Sequence, residues 1–375
     1  MSVPVIFNYL KAMAEHDASD LYLTLGFPPT IRVDDRIINI AEQKLDVKDL
    51  NEILGMVLTN RQRREYETDK ELNTSLDMGK YGRFRLNVFR QKQTPGLVIR
   101  RVKTEIPSFE ELQIPMLLKD LALTKRGLIL VTGQTGSGKS TTLAAMLNHR
   151  NEARPGHIIT IEDPIEYYHE HKKCVVTQRE VGVDTENYAV ALKNSLRQRP
   201  DVVLVGEARD REVMEQALAT AETGHLCLST LHTNNSYQGI ERIVNMFPED
   251  RHDQIRASLA MNLRAIISQR LVPTVNGGMT VAMEILINEG LIKDLIEQNK
   301  VAKIPEVVSQ NINMGMCTFD QSLLNLYSRG LISEEIAIAH ADTANDVRLK
   351  IQQMRLGNTD VGLTNLDTSR LKMSD

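Results

Sequence analysis

The sequence predicts an α/β fold with a predominantly parallel core sheet, preceded by a small α+β domain and followed by C-terminal helices. Three observations carry this prediction. Apolar strand-like segments alternate with helical stretches in the middle of the chain, which is typical of a parallel sheet with helices on both faces. A glycine-rich loop follows the first of these strands. The 375 residues suffice for two or three domains with substantial cores.

The first 106 residues predict the small α+β domain. Apolar residues at helical spacing come first, and segments with strand-like alternation follow. The helix is expected over 4–14 and strands within 20–40, 83–88 and 96–102, with a turn at Pro28-Pro29. Two Ile-Pro pairs, Ile106-Pro107 and Ile114-Pro115, then interrupt the regular pattern. Residues 107–116 are therefore predicted to form a linker.

Residues 133–140 read Gly-Gln-Thr-Gly-Ser-Gly-Lys-Ser and match the complete G-x-x-x-x-G-K-[ST] pattern. The apolar run 128–131 predicts the preceding buried strand, and 141–148 predict the following helix. An ordinary glycine-rich turn would require neither flanking element. Glycines let backbone N–H groups surround phosphate oxygens, and the N-terminus of the helix adds partial positive charge. The loop therefore predicts binding of a nucleoside triphosphate.

The residues predicted to bind the nucleotide are Gly133, Gln134, Thr135, Gly136, Ser137, Gly138, Lys139, Ser140 and Thr141. Within this motif, Lys139 is expected to reach the β- and γ-phosphates. The hydroxyl of Ser140 is expected to ligate Mg²⁺. The cofactors predicted are therefore ATP and Mg²⁺.

The core domain is predicted to span residues 117–300. Its strands are expected within 128–132, 157–163, 201–207 and 225–233. From about Gly290 the apolar spacing becomes helical, and 301–356 predict small packing helices. Residues 357–375 are polar and lack periodicity, which predicts a disordered tail.

Acidic residues follow two of the predicted core strands. Ligands of open parallel sheets sit outside the carboxyl ends of the strands, so three carboxylates within 162–166 are expected near the phosphates. One of them, Glu166, could orient an attacking water, although a solvated acidic turn has the same composition. The strand 201–206 ends at Glu207 as a Walker B strand does, and this carboxylate is expected to act on Mg²⁺ or its waters.

Two histidines, His225 and His232, bracket the apolar strand LCLSTL. Neither has partners at the spacing of a zinc site. A lone histidine is commonly a structural hydrogen bonder, but His232 follows the carboxyl end of its strand and could sense the γ-phosphate.

Composition argues against several classes of protein. The 45 basic and 49 acidic residues leave a net charge of −4, so bulk charge does not favour nucleic acid or an anionic membrane. Three widely separated cysteines, Cys174, Cys227 and Cys317, fit neither a disulfide framework nor a C-x-x-C metal site and are expected to be buried. The N-terminal residues lack the long apolar run of a signal peptide or membrane span.

Four ordered segments, GQTGSGKS, TIEDPIE, RQRPDVVLVGEARD and GHLCLSTLHTNN, resemble the secretion ATPases of type II and type IV pilus systems. The N-terminal string ASDLYLTLGFPPTIRVD and the segment SLAMNLRAIISQRLVP, interpreted as a helix, are similar to the PilT/PilU family of pilus retraction ATPases. The resemblance covers roughly residues 5–355. It implies a RecA-like core behind a PAS-like N-terminal domain.

The resemblance also implies a function: a hexameric motor that couples Mg-ATP hydrolysis to type IV pilus retraction and twitching motility. In that family the catalytic glutamate corresponds to Glu166, the Walker B glutamate to Glu207, and two conserved histidines to His225 and His232. Lys139 and Ser140 correspond to the Walker A pair. Arg85 and Arg100 lie near the arginines that complete the site of a neighbouring subunit.

The partners implied are further copies of the chain, an inner-membrane pilus platform protein and a PilT-like retraction ATPase. The location implied is cytoplasmic, at the inner-membrane pilus machinery, with no nucleic acid expected. The chain departs from the family pattern at Lys193 and Arg199 and in 290–298, which lacks two arginines. These departures favour the accessory, PilU-like branch. A nucleic-acid translocase or ring helicase, and a non-autonomous adapter ring for a partner motor, remain alternatives.

Overall fold

The computed structural model describes residues 5–33, 36–102 and 105–356, so the predicted tail lies outside the described residues. The chain divides into two compact units. The first unit runs to Glu105 and also contains Glu166–Tyr168, and the second contains Ile106–Ile165 and the residues from His169 onward. The α/β fold class is confirmed, with mixed sheets.

The first unit is a six-stranded antiparallel sheet covered by helices, with strand order β3-β2-β1-β6-β5-β4. Its elements are α1 (Val5–Glu15), β1 (Asp20–Leu23), β2 (Thr30–Val33), β3 (Arg36–Asn39), α2 (Val47–Val57), α3 (Asn60–Asp69), β4 (Glu71–Asp77), β5 (Arg83–Gln91) and β6 (Thr94–Val102). The predicted helix and strands of this region are confirmed.

The alternation of apolar side chains along each strand determines which face of this sheet is buried. Side chains of a strand point to opposite faces in turn, and β5 buries Phe84, Leu86 and Val88. These residues share one hydrophobic cluster with Ile6 of α1 and Leu50 of α2. The helices α2 and α3 each begin at a capping box, which satisfies backbone N–H groups of the first turn.

The second unit is built on a seven-stranded sheet with the order β13-β12-β7-β11-β10-β8-β9. Its strands are β7 (Gly127–Thr132), β8 (Gly156–Glu162), β9 (Cys174–Glu180), β10 (Val202–Val205), β11 (Leu226–Leu231), β12 (Leu263–Pro273) and β13 (Met279–Ile287). All neighbouring pairs are parallel except β12 and β13. The carboxyl ends of the six parallel strands therefore share one edge.

Helices complete the second unit. They are α4 (Phe109–Leu112), α5 (Leu117–Ala122), α6 (Lys139–Ala153), α7 (Tyr188–Ser195), α8 (Arg211–Glu222), α9 (Ser236–Asn245), α10 (His252–Asn262), α11 (Leu291–Glu297), α12 (Ile304–Gln310), α13 (Phe319–Ser328), α14 (Glu334–Ala339) and α15 (Ala344–Arg355). The main core surrounds the sheet. A smaller cluster joins α13, α14 and α15 to Val272 of β12 and Ala282 of β13.

One predicted element is wrong in part. The segment 258–273 was expected as a helix, but α10 ends at Asn262 and the next eleven residues form β12. The run AIIS of β12 is fully buried in the sheet beside β7. A short apolar run fits a buried strand and a buried helix equally well. The pairing of this segment within the sheet therefore determines that it is a strand.

The three cysteines are free and buried, as predicted. Within the described residues, none of the helices combines the length and the apolar character needed to cross a membrane.

Candidate nucleotide-binding site

The predicted phosphate loop joins the carboxyl end of β7 to the first residue of α6. Its glycines take positive φ angles of 147° at Gly133, 80° at Gly136 and 88° at Gly138, where L side chains are strained. A Cβ at Gly133 would lie 2.5 Å from the hydroxyl of Ser137 and 2.6 Å from the carbonyl oxygen of Gln269. Gly133 is therefore required both for its angle and for close approach.

The side chain of Lys139 is buried and folds back over the loop. Its Nζ donates to the carbonyl oxygens of Gly133 and Gln134, each at 2.9 Å. A buried ammonium needs hydrogen-bond acceptors around it. Its head is thus held directly over the loop, at the place where the motif requires a cation.

The loop residues fit a bound phosphate chain. The hydroxyl of Ser137 is buried, and among the described residues it has no hydrogen-bond partner. A buried polar atom without a partner costs free energy, and a phosphate oxygen would supply the acceptor. Ser140 and Thr141 lie in the first turn of α6, where backbone N–H groups lack intrahelical partners and favour anions.

A chain of charged side chains lies along the carboxyl edge of the sheet. Glu207 follows β10, and its two oxygens contact Nε2 of His232 at 3.2 Å and Nε of Arg209 at 2.7 Å. Arg209 also contacts Asp163, after β8, at 3.4 Å. The hydrogen bond to Glu207 raises the pKa of Arg209. The ends of three strands thus place one cation between two carboxylates, beside a histidine.

Glu162, at the end of β8, accepts a 2.6 Å hydrogen bond from the hydroxyl of Thr160. Gly206 lies close to Glu162: a Cβ at this glycine would lie 3.3 Å from the Cα of Glu162 and 3.1 Å from the hydroxyl of Tyr188. Burial raises the pKa of Tyr188. The phenol of Tyr188 therefore stays neutral beside Glu162.

Three of the remaining predicted residues, Glu166, Arg85 and Arg100, belong to the first unit. Glu166 is exposed. In the first unit Arg85 and Arg100 are directly opposite each other on β5 and β6, and Nε of Arg100 contacts Asp20 at 2.8 Å. His225 precedes β11 and contacts Thr223, so it lies at the sheet edge opposite the phosphate loop.

A cavity of about 360 Å³ borders the start of α6. Residues 111–114 and the β12–β13 hairpin form its walls, including Ile114, Leu271 and Val281. Ser137 and Thr141 connect it to the loop. A second cavity of about 1070 Å³ borders the other side of the loop and reaches α13 and α15. The loop is accessible from both.

The sequence does not predict a role for two residues of this region. Arg209 is one of them, although the Glu-Ala-Arg spacing is compatible with its ion pair to Glu207. Gln269 lies beneath the loop, and a polar residue inside the buried run of β12 was the one available signal.

A phosphate loop between a buried strand and a helix, at the carboxyl edge of parallel strands and with a carboxylate following a nearby strand, defines a P-loop nucleotide-binding protein. The family model of "Type II/IV secretion system protein" matches residues 3–317. The chain belongs to this family.

Individual relatives are similar over most of their length. The chain is 49% identical to the type IV pilus ATPase PilU of Pseudomonas aeruginosa, covering 92% of this chain and 90% of that protein. It is 42% identical to the retraction ATPase PilT of the same organism, covering 88% and 96%. A crystal structure of the pilus retraction motor PilT with bound ADP matches with a TM-score of 0.87 and 40% identity, covering 93% of this chain and all of that one.

Proposed function

We propose that this chain is a Mg-ATP-hydrolysing motor for type IV pilus retraction and twitching motility. The observation that carries the proposal is the phosphate loop with Lys139 held over it, at the same edge of the sheet as Glu207, the carboxylate that follows β10. The similarity to PilU and PilT, and to an ADP-bound retraction motor, supports the same activity.

The loop residues would bind ATP through backbone amides and Lys139. The adenosine would lie in the 360 Å³ cavity, because Thr141 connects that cavity to the loop. Ser140 and Glu207 would hold Mg²⁺, which when bound neutralises charge on the phosphate oxygens. His232, whose Nε2 lies 3.2 Å from an oxygen of Glu207, would keep this carboxylate in place. Little covalent chemistry is then required of the protein beyond positioning and charge neutralisation.

We propose that Glu166 orients the attacking water and that Arg85 and Arg100 complete the site of a neighbouring copy. Both arginines lie in one row of the first sheet, so they would reach a phosphate together. A hexameric ring would bring them there. ATP would then favour one placement of the two units and product release another, which converts hydrolysis into motion.

We also propose a division of the chain into domains. It comprises a PAS-like domain over 1–106, a linker over 107–116, a RecA-like core over 117–300 and a helical region over 301–356. The similarity to PilU favours an accessory role beside a PilT-like ATPase. We propose a cytoplasmic location at the inner-membrane platform protein of the pilus.

The test is Mg-ATP hydrolysis per subunit as a function of protein concentration, with Glu166→Gln as the variant. A shared site predicts that turnover rises cooperatively with concentration and is lost in Glu166→Gln, while Glu170→Gln, an exposed neighbour, retains it. Negligible turnover with intact nucleotide binding would identify the non-autonomous accessory role. No nucleotide binding by the wild-type chain would contradict the proposal itself.

A further inference from the structure

The strand β12 carries two buried polar residues, Ser268 and Gln269, where it runs beside the phosphate loop. Side chains at successive positions of a strand point to opposite faces of the sheet. Ser268 accepts a 2.9 Å hydrogen bond from Thr132, the last residue of β7. Gln269 donates through Nε2 to the hydroxyl of Thr142 in α6, also at 2.9 Å. The strand is thus bonded to the chain on both sides of the loop.

Contact between Gln269 and the loop is also made through its backbone. A Cβ at Gly133 would lie 2.6 Å from the carbonyl oxygen of Gln269, so the first loop residue rests on this strand. The hydrogen bond to Thr142 fixes the first turn of α6, which also contains Lys139. The direction of that turn sets where its amides and Lys139 point.

The amide of Gln269 is only half satisfied. The side chain is 2% exposed, and Oε1 is buried with no partner among the described residues. Such an atom costs free energy unless another group completes it. Gln269 lines both cavities that border the loop, so the residue that carries this buried oxygen forms part of the wall of the candidate site.

We infer that Gln269 is a positioning residue for nucleotide binding. It holds the first turn of α6 against β12 through Thr142, and thereby orients the amides of that turn and Lys139 toward the nucleotide. The inference rests on the proposed function, since it concerns the same site. It adds a residue outside the phosphate-loop motif and outside the acidic strand ends.

The chain offers a matched control. Asn288 is 1% exposed, and its amide nitrogen donates to three carbonyl oxygens, of Leu259, Ala260 and Leu263. Its Oδ1 is likewise buried without a partner among the described residues. Asn288 lines neither cavity. Asn288 is therefore a buried amide whose oxygen is unpaired in the described part of the chain, as Gln269 is, but it does not line the cavities beside the phosphate loop.

The experiment measures MgADP affinity by calorimetry, and thermal unfolding with and without MgADP, for the full chain. We expect Gln269→Leu to weaken MgADP binding about fivefold or more, the equivalent of one hydrogen bond. Thr142→Val should give a similar loss. The double variant should lose at most about twofold more than either single variant, because the two residues act through one contact. Asn288→Ala should lower the unfolding temperature but keep the MgADP-induced shift.

A second variant keeps the inference testable if Gln269→Leu does not fold. Gln269→Glu retains an acceptor for the hydroxyl of Thr142 but places a carboxyl group near the phosphates. Burial favours its neutral form. We therefore expect its MgADP affinity to rise as pH falls from about 8 to about 6, more than in the wild type.

Equal affinities for wild type and Gln269→Leu, or an equal loss in Asn288→Ala, would overturn the inference while leaving the proposed function intact. A Gln269→Glu affinity with the same pH dependence as wild type would also overturn it. A wild-type chain that binds no nucleotide would overturn the proposed function and this inference with it.

Discussion

Replacing Gly133 by alanine tests whether the loop is built as the structure describes. The new Cβ would meet the hydroxyl of Ser137 at 2.5 Å and the carbonyl oxygen of Gln269 at 2.6 Å, at a φ of +147°. The backbone strain costs about 1–3 kcal/mol, and relieving the overlap costs about 1–3 kcal/mol more. Gly136 supplies the control, since its φ is +80° and a Cβ there meets no atom of the described part of the chain within 4 Å. Gly136→Ala should therefore cost about 1–2 kcal/mol from strain alone.

The assay is thermal unfolding of both variants without nucleotide, followed by MgADP titration. Because the overlap distinguishes the two sites, Gly133→Ala should unfold at a temperature about 2–10 °C lower than Gly136→Ala. Movement of the loop to relieve the overlap would appear as weaker MgADP binding in Gly133→Ala. If Gly133→Ala unfolds no earlier than Gly136→Ala and binds MgADP equally well, the close packing of the loop on β12 is refuted.

Three further predictions concern single side chains. Lys139→Ala should weaken MgADP binding about 10- to 100-fold, since a charge-assisted hydrogen bond contributes about 1.5–3 kcal/mol; calorimetric affinity within threefold of wild type would contradict this role. Glu207→Gln should lower Mg-ATP turnover at least about 100-fold and also weaken MgADP binding, because a neutral amide is a poorer ligand of Mg²⁺ than a carboxylate, whereas Glu212→Gln, an exposed glutamate of α8, should retain turnover. Burial lowers the pKa of His169 from 6.5 to about 4; the unfolded chain therefore binds more protons between these values, and stability should fall by up to about 3 kcal/mol as pH drops through them. His169→Phe should flatten this acid dependence in urea titrations at pH 7 and pH 5, and an unchanged slope would exclude His169 as its source.

The sequence was most informative where a local rule determines the structure. The loop glycines, the apolar strand before them and the helix after them follow from one motif, and the structure has all three elements in that order. Alternation likewise predicted the strands of the first unit, because their inner faces must be apolar and their outer faces need not be. Local patterns of this kind do not depend on the rest of the chain.

Where partners are distant in sequence, the same patterns were insufficient. The sequence predicts a helix where the structure has β12. The eleven residues of this strand are rich in apolar side chains, and their spacing does not distinguish a buried strand from a buried helix. This segment is a strand because it pairs with β7, which lies more than 120 positions earlier in the chain. Gln269 was missed for the same reason: its partner Thr142 is 127 residues away. The role proposed for Glu166 requires an arrangement of units and copies that local spacing does not encode.

Strand order explains why Glu207 and His232 meet although a full helix, α8, separates them in the chain. In the sheet, β11 lies between β7 and β10, so the residue after β11 lies between the phosphate loop and the carboxylate after β10. Neighbouring parallel strands are about 4.8 Å apart, which leaves room for one side chain at that edge, and His232 occupies it at 3.2 Å from Glu207. We therefore expect a change at the phosphates to reach Glu207 through His232. His232→Ala should then reduce Mg-ATP turnover more than MgADP affinity, and an equal loss of both would place the histidine in nucleotide binding instead.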